Sequence, residues 1–399
     1  MNSLTFTPDG FRDIYSSECN IRDFCLFNIT NKLSKFGYLT IDTPVLEYED
    51  LFREAGTVKS EKLFRFFDKD GKVLSLRPDF TPSIARAASL LLNDDPAPLR
   101  IKYFGKVFRN DSMLKGYLRE YVQMGAECIG DNSIYYDAEI IDIVYECFLA
   151  VGINDFNICI SSSKLIDLIL NISNLTESER KTAGELISNK NFFGLADLLK
   201  KSGVSSEVSS LFRILENDIT DSSGLSDLFE KTSRWPEVQN EIRYLMDLYS
   251  IIVSFDIEDH ISFDLSLDNY MDYYTGVIFS GYTYGTDSAV VKGGRYDNLL
   301  ESFDSEKGAI GFAFSLDKLV QAISRQNIDI EVNYKMIYLL TDSKSMDKCI
   351  KKASELRSED KETIVITIPE NKDEAATLIK NISEKKYGST YMIFREGES

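Results

Sequence analysis

Apolar residues recur at helical spacing between Ile21 and Phe36, at Ile21, Cys25, Ile29, Leu33 and Phe36, and Gly37 stands where such a helix should stop. The run Tyr38–Leu46 that follows reads as extended and carries Pro44. A second helix is predicted between Tyr136 and Val151, where Ile140, Ile141, Val144, Cys147, Phe148 and Val151 share one face while Asp137, Asp142 and Glu146 lie off it. Farther along, Ile261–Asp268 alternates apolar and polar residues strictly, as a strand with one buried face does. Val277–Tyr284 reads as the next strand, and a turn at Gly285–Ser288 leads into Ala289–Val291. The short connections between these strands predict an antiparallel sheet, because parallel neighbours need long crossovers.

Between about residues 163 and 250 the pattern changes to short helical stretches separated by polar turns, including a capping box from Thr176 to Glu179. This stretch reads as a helical insertion into a core that spans residues 1–325. After the polar residues around Gln326–Glu331, the chain alternates strand (Met336–Thr341), helix (Met346–Arg357), strand (Thr363–Ile368), helix (Lys372–Lys385) and strand (Ser389–Phe394). That order predicts a small separate α/β domain over residues 333–399 and an α+β class for the chain.

Composition narrows the functions available. A formal charge of -19 weighs against a nucleic-acid partner, whose affinity rests on Lys and Arg neutralising phosphates. The six cysteines (Cys19, Cys25, Cys128, Cys147, Cys159 and Cys349) fall at neither zinc-finger nor redox-motif spacing, so buried free thiols are expected. With His260 as the one histidine, neither a metal site nor a cofactor is implied, and a structural or surface role is expected for that ring. The start Met1–Pro8 lacks the basic and apolar segments of a signal peptide, and no apolar stretch is long enough to span a bilayer. No membrane contact and a cytoplasmic location are expected.

Four segments concentrate polar residues where strands or turns are predicted: Leu76–Pro82 (Leu-Arg-Pro-Asp-Phe-Thr-Pro), Tyr103–Arg109, Gly116–Glu127 and Gly293–Asp297 (Gly-Gly-Arg-Tyr-Asp). Taken singly, each has an ordinary explanation. A Gly-Gly pair before an arginine suggests a tight turn with a surface ion pair, and Arg-Pro-Asp suggests a loop with a capping acid.

In this order the segments resemble histidyl-tRNA synthetase and its close relative, the ATP phosphoribosyltransferase regulatory subunit, over residues 5 to 320. Gly37–Leu46 resembles the first class II motif, which forms the dimer interface in that family. Phe108-Arg109 with Gly116–Glu127 resembles the second motif, and Gly308–Leu319 the third; Met271–Gly276 is similar to the histidine-specific Asp-Tyr-Tyr motif. The resemblance implies a class II aminoacyl-tRNA synthetase-like antiparallel sheet flanked by helices. By the same resemblance the C-terminal domain is a shortened anticodon-binding domain. It also implies a histidine site built from Asp79, Thr81, Gln123, Glu127, Tyr273 and Tyr274, with Arg109 on the ligand carboxylate. Carboxylate and amide acceptors suit an ammonium and an imidazole N–H, and aromatic walls suit a flat ring.

Departures from the synthetase fall on its ATP side. The arginine that promotes attack on the α-phosphate is replaced by Asn269, the third-motif arginine by Lys318, and a phosphate-facing arginine by Tyr117. A lost donor at a developing negative charge costs about 2.7–4 kcal/mol, and lysine lacks the planar fork that stacks on a base. The resemblance therefore implies a non-catalytic regulatory subunit with no catalytic residues of its own. Its partners would be a short-form ATP phosphoribosyltransferase, histidine as effector, and a second copy of the chain through the Pro44 region. The rival expectations are a divergent histidyl-tRNA synthetase and a histidine-sensing paralogue with another client.

Overall fold

The computed structural model describes residues 6–15, 17–56, 58–91, 98–110, 118–216, 218–219, 221–267, 273–303, 307–330, 337–369, 371–383 and 390–394. Helix α1 (Ser17–Lys35) buries Cys25, Ile29 and Leu33 along the predicted stripe. It stops because Gly37 takes φ +83°, which lets the Tyr38 N–H reach back to the Leu33 carbonyl at 3.1 Å. Next come β1 (Leu39–Thr40), β2 (Leu46–Tyr48), α2 (Glu49–Glu54), β3 (Arg65–Phe67), β4 (Val73–Leu76) and α3 (Thr81–Leu91). The long strands β5 (Leu99–Phe108) and β6 (Glu120–Ile129), helix α4 (Ile134–Ala150) and β7 (Phe156–Ser162) complete the first half.

From β7 the chain enters α5 (Ser163–Ile172), α6 (Glu177–Ser188), α7 (Phe192–Lys201), α8 (Ser206–Phe212), β8 (Asp218–Ile219), α9 (Ser222–Lys231) and α10 (Pro236–Val253). The Thr176–Glu179 capping box opens α6, with hydroxyl and carboxylate each taking the other residue's backbone N–H. The chain then returns as β9 (Ile261–Asp264), β10 (Val277–Thr283), β11 (Val291–Arg295), α11 (Asp297–Glu301), β12 (Ala309–Ser315) and α12 (Leu316–Gln326). The alternation read through Asp268 ends at Asp264, whose carboxylate accepts both the N–H and the hydroxyl of Ser266 and so turns the backbone. Residue 268 itself lies outside the described residues.

Nine strands form the main sheet in the order β1-β5-β6-β12-β11-β10-β7-β9-β8. It is antiparallel through its middle, with parallel pairings only at β1–β5 and β7–β9. One face is apolar: Met124, Ala126 and Cys128 of β6 and Ile310, Phe312 and Phe314 of β12 pack with Ile29, Ile140, Val144, Phe148 and Leu319 from α1, α4 and α12. The opposite face meets α3 and α11 through Phe80, Ile84, Tyr103, Tyr273, Tyr296, Leu299 and Leu300. Polar residues collect on this second face. His260 accepts a structural place, its Nδ1 lying 2.9 Å from the Phe156 carbonyl and its ring stacked on Phe156. All six cysteines are free thiols.

The chain divides into two compact units, residues 1–330 and 331–399. The second holds β13 (Ile337–Thr341), α13 (Met346–Ser358), β14 (Thr363–Thr367), α14 (Lys372–Ser383) and β15 (Thr390–Phe394), with its parallel strands ordered β14-β13-β15. No described helix is long and apolar enough to cross a membrane.

Candidate functional site

Strand periodicity assembles the site. Gln123, Gly125 and Glu127 alternate with the core residues Met124, Ala126 and Cys128 on β6, and register places Glu127 opposite Gly311, Gly311 opposite Gly294, Gly294 opposite Ile278, and Ile278 opposite Ser161. A Cβ at Gly311 would stand 1.6 Å from Glu127 Oε2, and one at Gly294 would stand 2.7 Å from the Val277 carbonyl and 2.9 Å from the Tyr274 ring. Only glycine allows the carboxylate and the ring to lie flat over these strands.

Glu127 is buried and serves three hydroxyl donors. Its Oε1 accepts from Thr81 at 3.0 Å and Tyr103 at 3.2 Å, and its Oε2 accepts from Tyr296 at 2.7 Å. Burial pushes this carboxyl up to about 8; Asp79 nearby adds to the rise, while the three donors oppose it. Asp79 is likewise buried, accepting from the Phe80 N–H at 2.8 Å and from the Tyr273 hydroxyl at 3.2 Å. The Tyr273 ring meets Tyr274 at 5.0 Å and Tyr296 at 5.9 Å between centroids. Burial holds the hydroxyls of Tyr103, Tyr273, Tyr274 and Tyr296 protonated by raising them above the usual phenol range. Gln123 Oε1 and Ser161 Oγ are buried on the same face with no hydrogen-bond partner among the described residues.

Thus Asp79, Thr81, Gln123, Glu127, Tyr273 and Tyr274 gather on one face around acceptors and aromatic rings. Arg109, at the end of β5, donates its Nε to the Pro78 carbonyl at 3.2 Å and sets its guanidinium 5.8 Å from the Tyr121 ring centroid. Arg77, from the same Arg-Pro-Asp segment as Asp79, instead ties strands together. It donates to the Thr43 carbonyl at 2.7 Å and the Lys106 carbonyl at 3.0 Å while lying 3.8 Å over the Phe80 ring.

The third-motif helix offers little free positive charge. Lys318 donates to the Ser288 hydroxyl and, at 3.1 Å, to the Ala289 carbonyl, and burial lowers its ammonium pKa. Beside it, Asp317 accepts from the Val122 N–H at 3.0 Å and from Arg22. Tyr117, Asn269, Tyr270, Met271 and Asp272 lie outside the described residues.

Gly293–Asp297 corrects a sequence expectation. Gly293, Gly294 and Arg295 belong to β11, and Arg295 is buried rather than surface-paired. Its Nε donates to Asp137 Oδ1 at 3.0 Å and its Nη1 to Asp297 Oδ1 at 3.2 Å, while the Tyr244 hydroxyl of α10 also donates to Asp137. The pattern misled because a buried strand carrying two glycines and an arginine has the composition of a turn. Tyr296, between these anchored neighbours, and Tyr103 on β5 are site residues that sequence reasoning missed. Only the adjacency of Tyr296 to Arg295 and Asp297 signals it.

An antiparallel sheet carrying a polar, tyrosine-walled, carboxylate-based site beside α3 defines a class II aminoacyl-tRNA synthetase-like protein. The family model for histidyl-tRNA synthetase matches residues 10–319. Curated relatives include the ATP phosphoribosyltransferase regulatory subunits of Acetivibrio thermocellus, 32% identical with 82% of this chain and 78% of that one covered, and of Clostridium acetobutylicum, 31% identical with 97% and 93% covered. A crystal structure of an ATP phosphoribosyltransferase regulatory subunit/histidyl-tRNA synthetase from Bacillus halodurans superposes with TM-score 0.85 at 25% identity, covering 98% of this chain and 99% of that one. Histidyl-tRNA synthetase from Nostoc shares the fold, with TM-score 0.79 at 20% identity and 94% and 89% covered. The chain belongs to the histidyl-tRNA synthetase-like family of ATP phosphoribosyltransferase regulatory subunits.

Proposed function

We propose that this chain is a non-catalytic subunit that binds histidine and controls a short-form ATP phosphoribosyltransferase in the cytoplasm. One observation carries the reading: acceptors suited to an amino acid are clustered and buried around Glu127, whereas Lys318 spends its ammonium on Ser288 and Ala289. Asp79 and Gln123 would take the ligand ammonium, Glu127 an imidazole N–H, Arg109 the carboxylate, and Thr81, Tyr273 and Tyr274 would order the acceptors and flank the ring. Histidine shifts an equilibrium only by binding two states unequally, with couplings of about 1–3 kcal/mol.

A homodimer through the first-motif region is part of the proposal. Leu39, Val45, Leu46 and Tyr48 are exposed around Pro44, an apolar group that pairing would cover. The acidity of the chain supports a role without tRNA.

The test is to add this protein to purified short-form phosphoribosyltransferase and measure phosphoribosyl transfer to ATP with and without histidine. Stimulation that histidine reverses is expected; no effect on the transferase, together with histidine-dependent pyrophosphate exchange by this chain alone, would establish the synthetase reading instead.

A further inference from the structure

In the second unit β14 is an edge strand, and no described strand lies beyond it. Its sequence, Thr363-Ile364-Val365-Ile366-Thr367, reads the same in both directions and carries neither charge nor proline. Natural sheets usually protect an exposed edge with lysine, proline or a bulge. None interrupts this one.

The hydrogen bonds to β13 fix which groups face outward. The Ile337 N–H donates to the Glu362 carbonyl at 2.8 Å and the Ile368 N–H to the Thr341 carbonyl at 2.8 Å, in the parallel register Ile337 with Thr363 through Thr341 with Thr367. Even-numbered residues of β14 therefore bond to β13, and Thr363, Val365 and Thr367 present their N–H and C=O groups outward. Arg357 donates to the Thr363 carbonyl at 3.0 Å, leaving that oxygen a second lone pair. Val365 packs on the α13 side and Ile366 on the α14 side, while Ile364 is 38% exposed.

An antiparallel ladder requires outward-facing residues to come opposite one another. A palindrome centred on a residue satisfies this when turned on itself; one centred between residues would set outward against inward groups. A second copy rotated about Val365 brings Thr363 opposite Thr367, Ile364 opposite Ile366 and Val365 opposite Val365, each a like-with-like β-branched pair. Pro369, with no N–H to give, ends the ladder just past the strand.

We infer that β14 is a self-association edge, on which two copies of this chain pair antiparallel about Val365 and join their small sheets into one of six strands. The contact is isologous, as two-fold symmetry demands, and it stands apart from the apolar group around Pro44 and from the histidine reading.

The experiment uses the full chain in sedimentation velocity and thiol cross-linking. Val365→Pro removes an outward N–H without breaking a bond to β13, and Ile364→Lys places a cation on the exposed side. Both variants are expected to sediment at about half the mass of the wild-type species; sedimentation of both like wild type would overturn the inference. Facing residues in a hydrogen-bonded pair have Cα atoms about 5.5 Å apart, within disulfide reach. With oxidised glutathione, Val365→Cys should therefore form a dithiothreitol-sensitive dimer that Ile364→Cys does not; equal cross-linking of the two, or none, refutes the register. Should Val365→Pro fail to fold, Ile364→Lys and the cysteine pair decide. Loss of binding to the transferase with self-association intact would assign the edge to another chain and reject the inference.

Discussion

Tyr296 donates its hydroxyl hydrogen to Glu127 across 2.7 Å, although 169 residues separate them in the chain. The contact joins the end of β11 to β6 over Gly311, and it makes the state of one buried carboxyl depend on both.

Glu127 gives stability a pH dependence of known sign. Its folded value of about 8 lies above the ordinary 4.5, so the native state holds more protons across that interval. Stability therefore falls as pH rises from about 4.5 to about 8 and levels off above. Glu127→Gln cannot ionise: it should melt near the wild-type temperature at about pH 5 and above it at about pH 8, with about 1–2 °C for each kcal/mol in a unit of this size. Parallel melting curves for the two proteins would contradict this.

Histidine should expel a proton. A ligand N–H donor favours the carboxylate form, so binding at about pH 7 converts a largely protonated Glu127 to the anion. Titration calorimetry in buffers of different ionisation enthalpy should report proton release, and a buffer-independent enthalpy would count against Glu127 as the imidazole acceptor.

Tyr296→Phe removes one donor and leaves the ring. A net loss of about 1.4 kcal/mol corresponds to roughly ten-fold weaker histidine binding. The melting temperature should move little, which separates loss of positioning from loss of fold.

Gly311→Ala should be far more damaging than its size suggests, because the added carbon would sit 1.6 Å from Glu127 Oε2. Histidine binding should be undetectable in this variant while Gly184→Ala, at a position with nothing within 4 Å, binds normally.

Asp137→Ala leaves Arg295 buried without its main partner. Breaking such a pair costs about 3–5 kcal/mol, readable as a lower urea midpoint. A variant within about 0.5 kcal/mol of wild type would show the pair to be dispensable.

Much of the frame was legible one residue at a time. The α1 stripe and its Gly37 stop, the apolar face of α4 and the Thr176–Glu179 cap are local patterns with a single periodicity. Gly293–Arg295 was not, since nothing local distinguishes a buried glycine strand from a turn until Asp137 is brought to Arg295 from another helix. Tyr103 and Tyr296 were missed for the same reason: a tyrosine in a strand looks like ordinary core until its hydroxyl is seen to end on a carboxylate.

By itself, then, the sequence determined many of the helix and strand segments, because periodicity acts over a few residues, and its motifs carried the family resemblance and the residue types available to meet an amino acid. Tertiary structure alone decided that Glu127 is enclosed by three hydroxyls, that Lys318 is occupied at Ser288 and Ala289, and that β14 lies at an edge. Those outcomes depend on burial and on strand order, which bring together groups far apart in the chain and which no local pattern encodes.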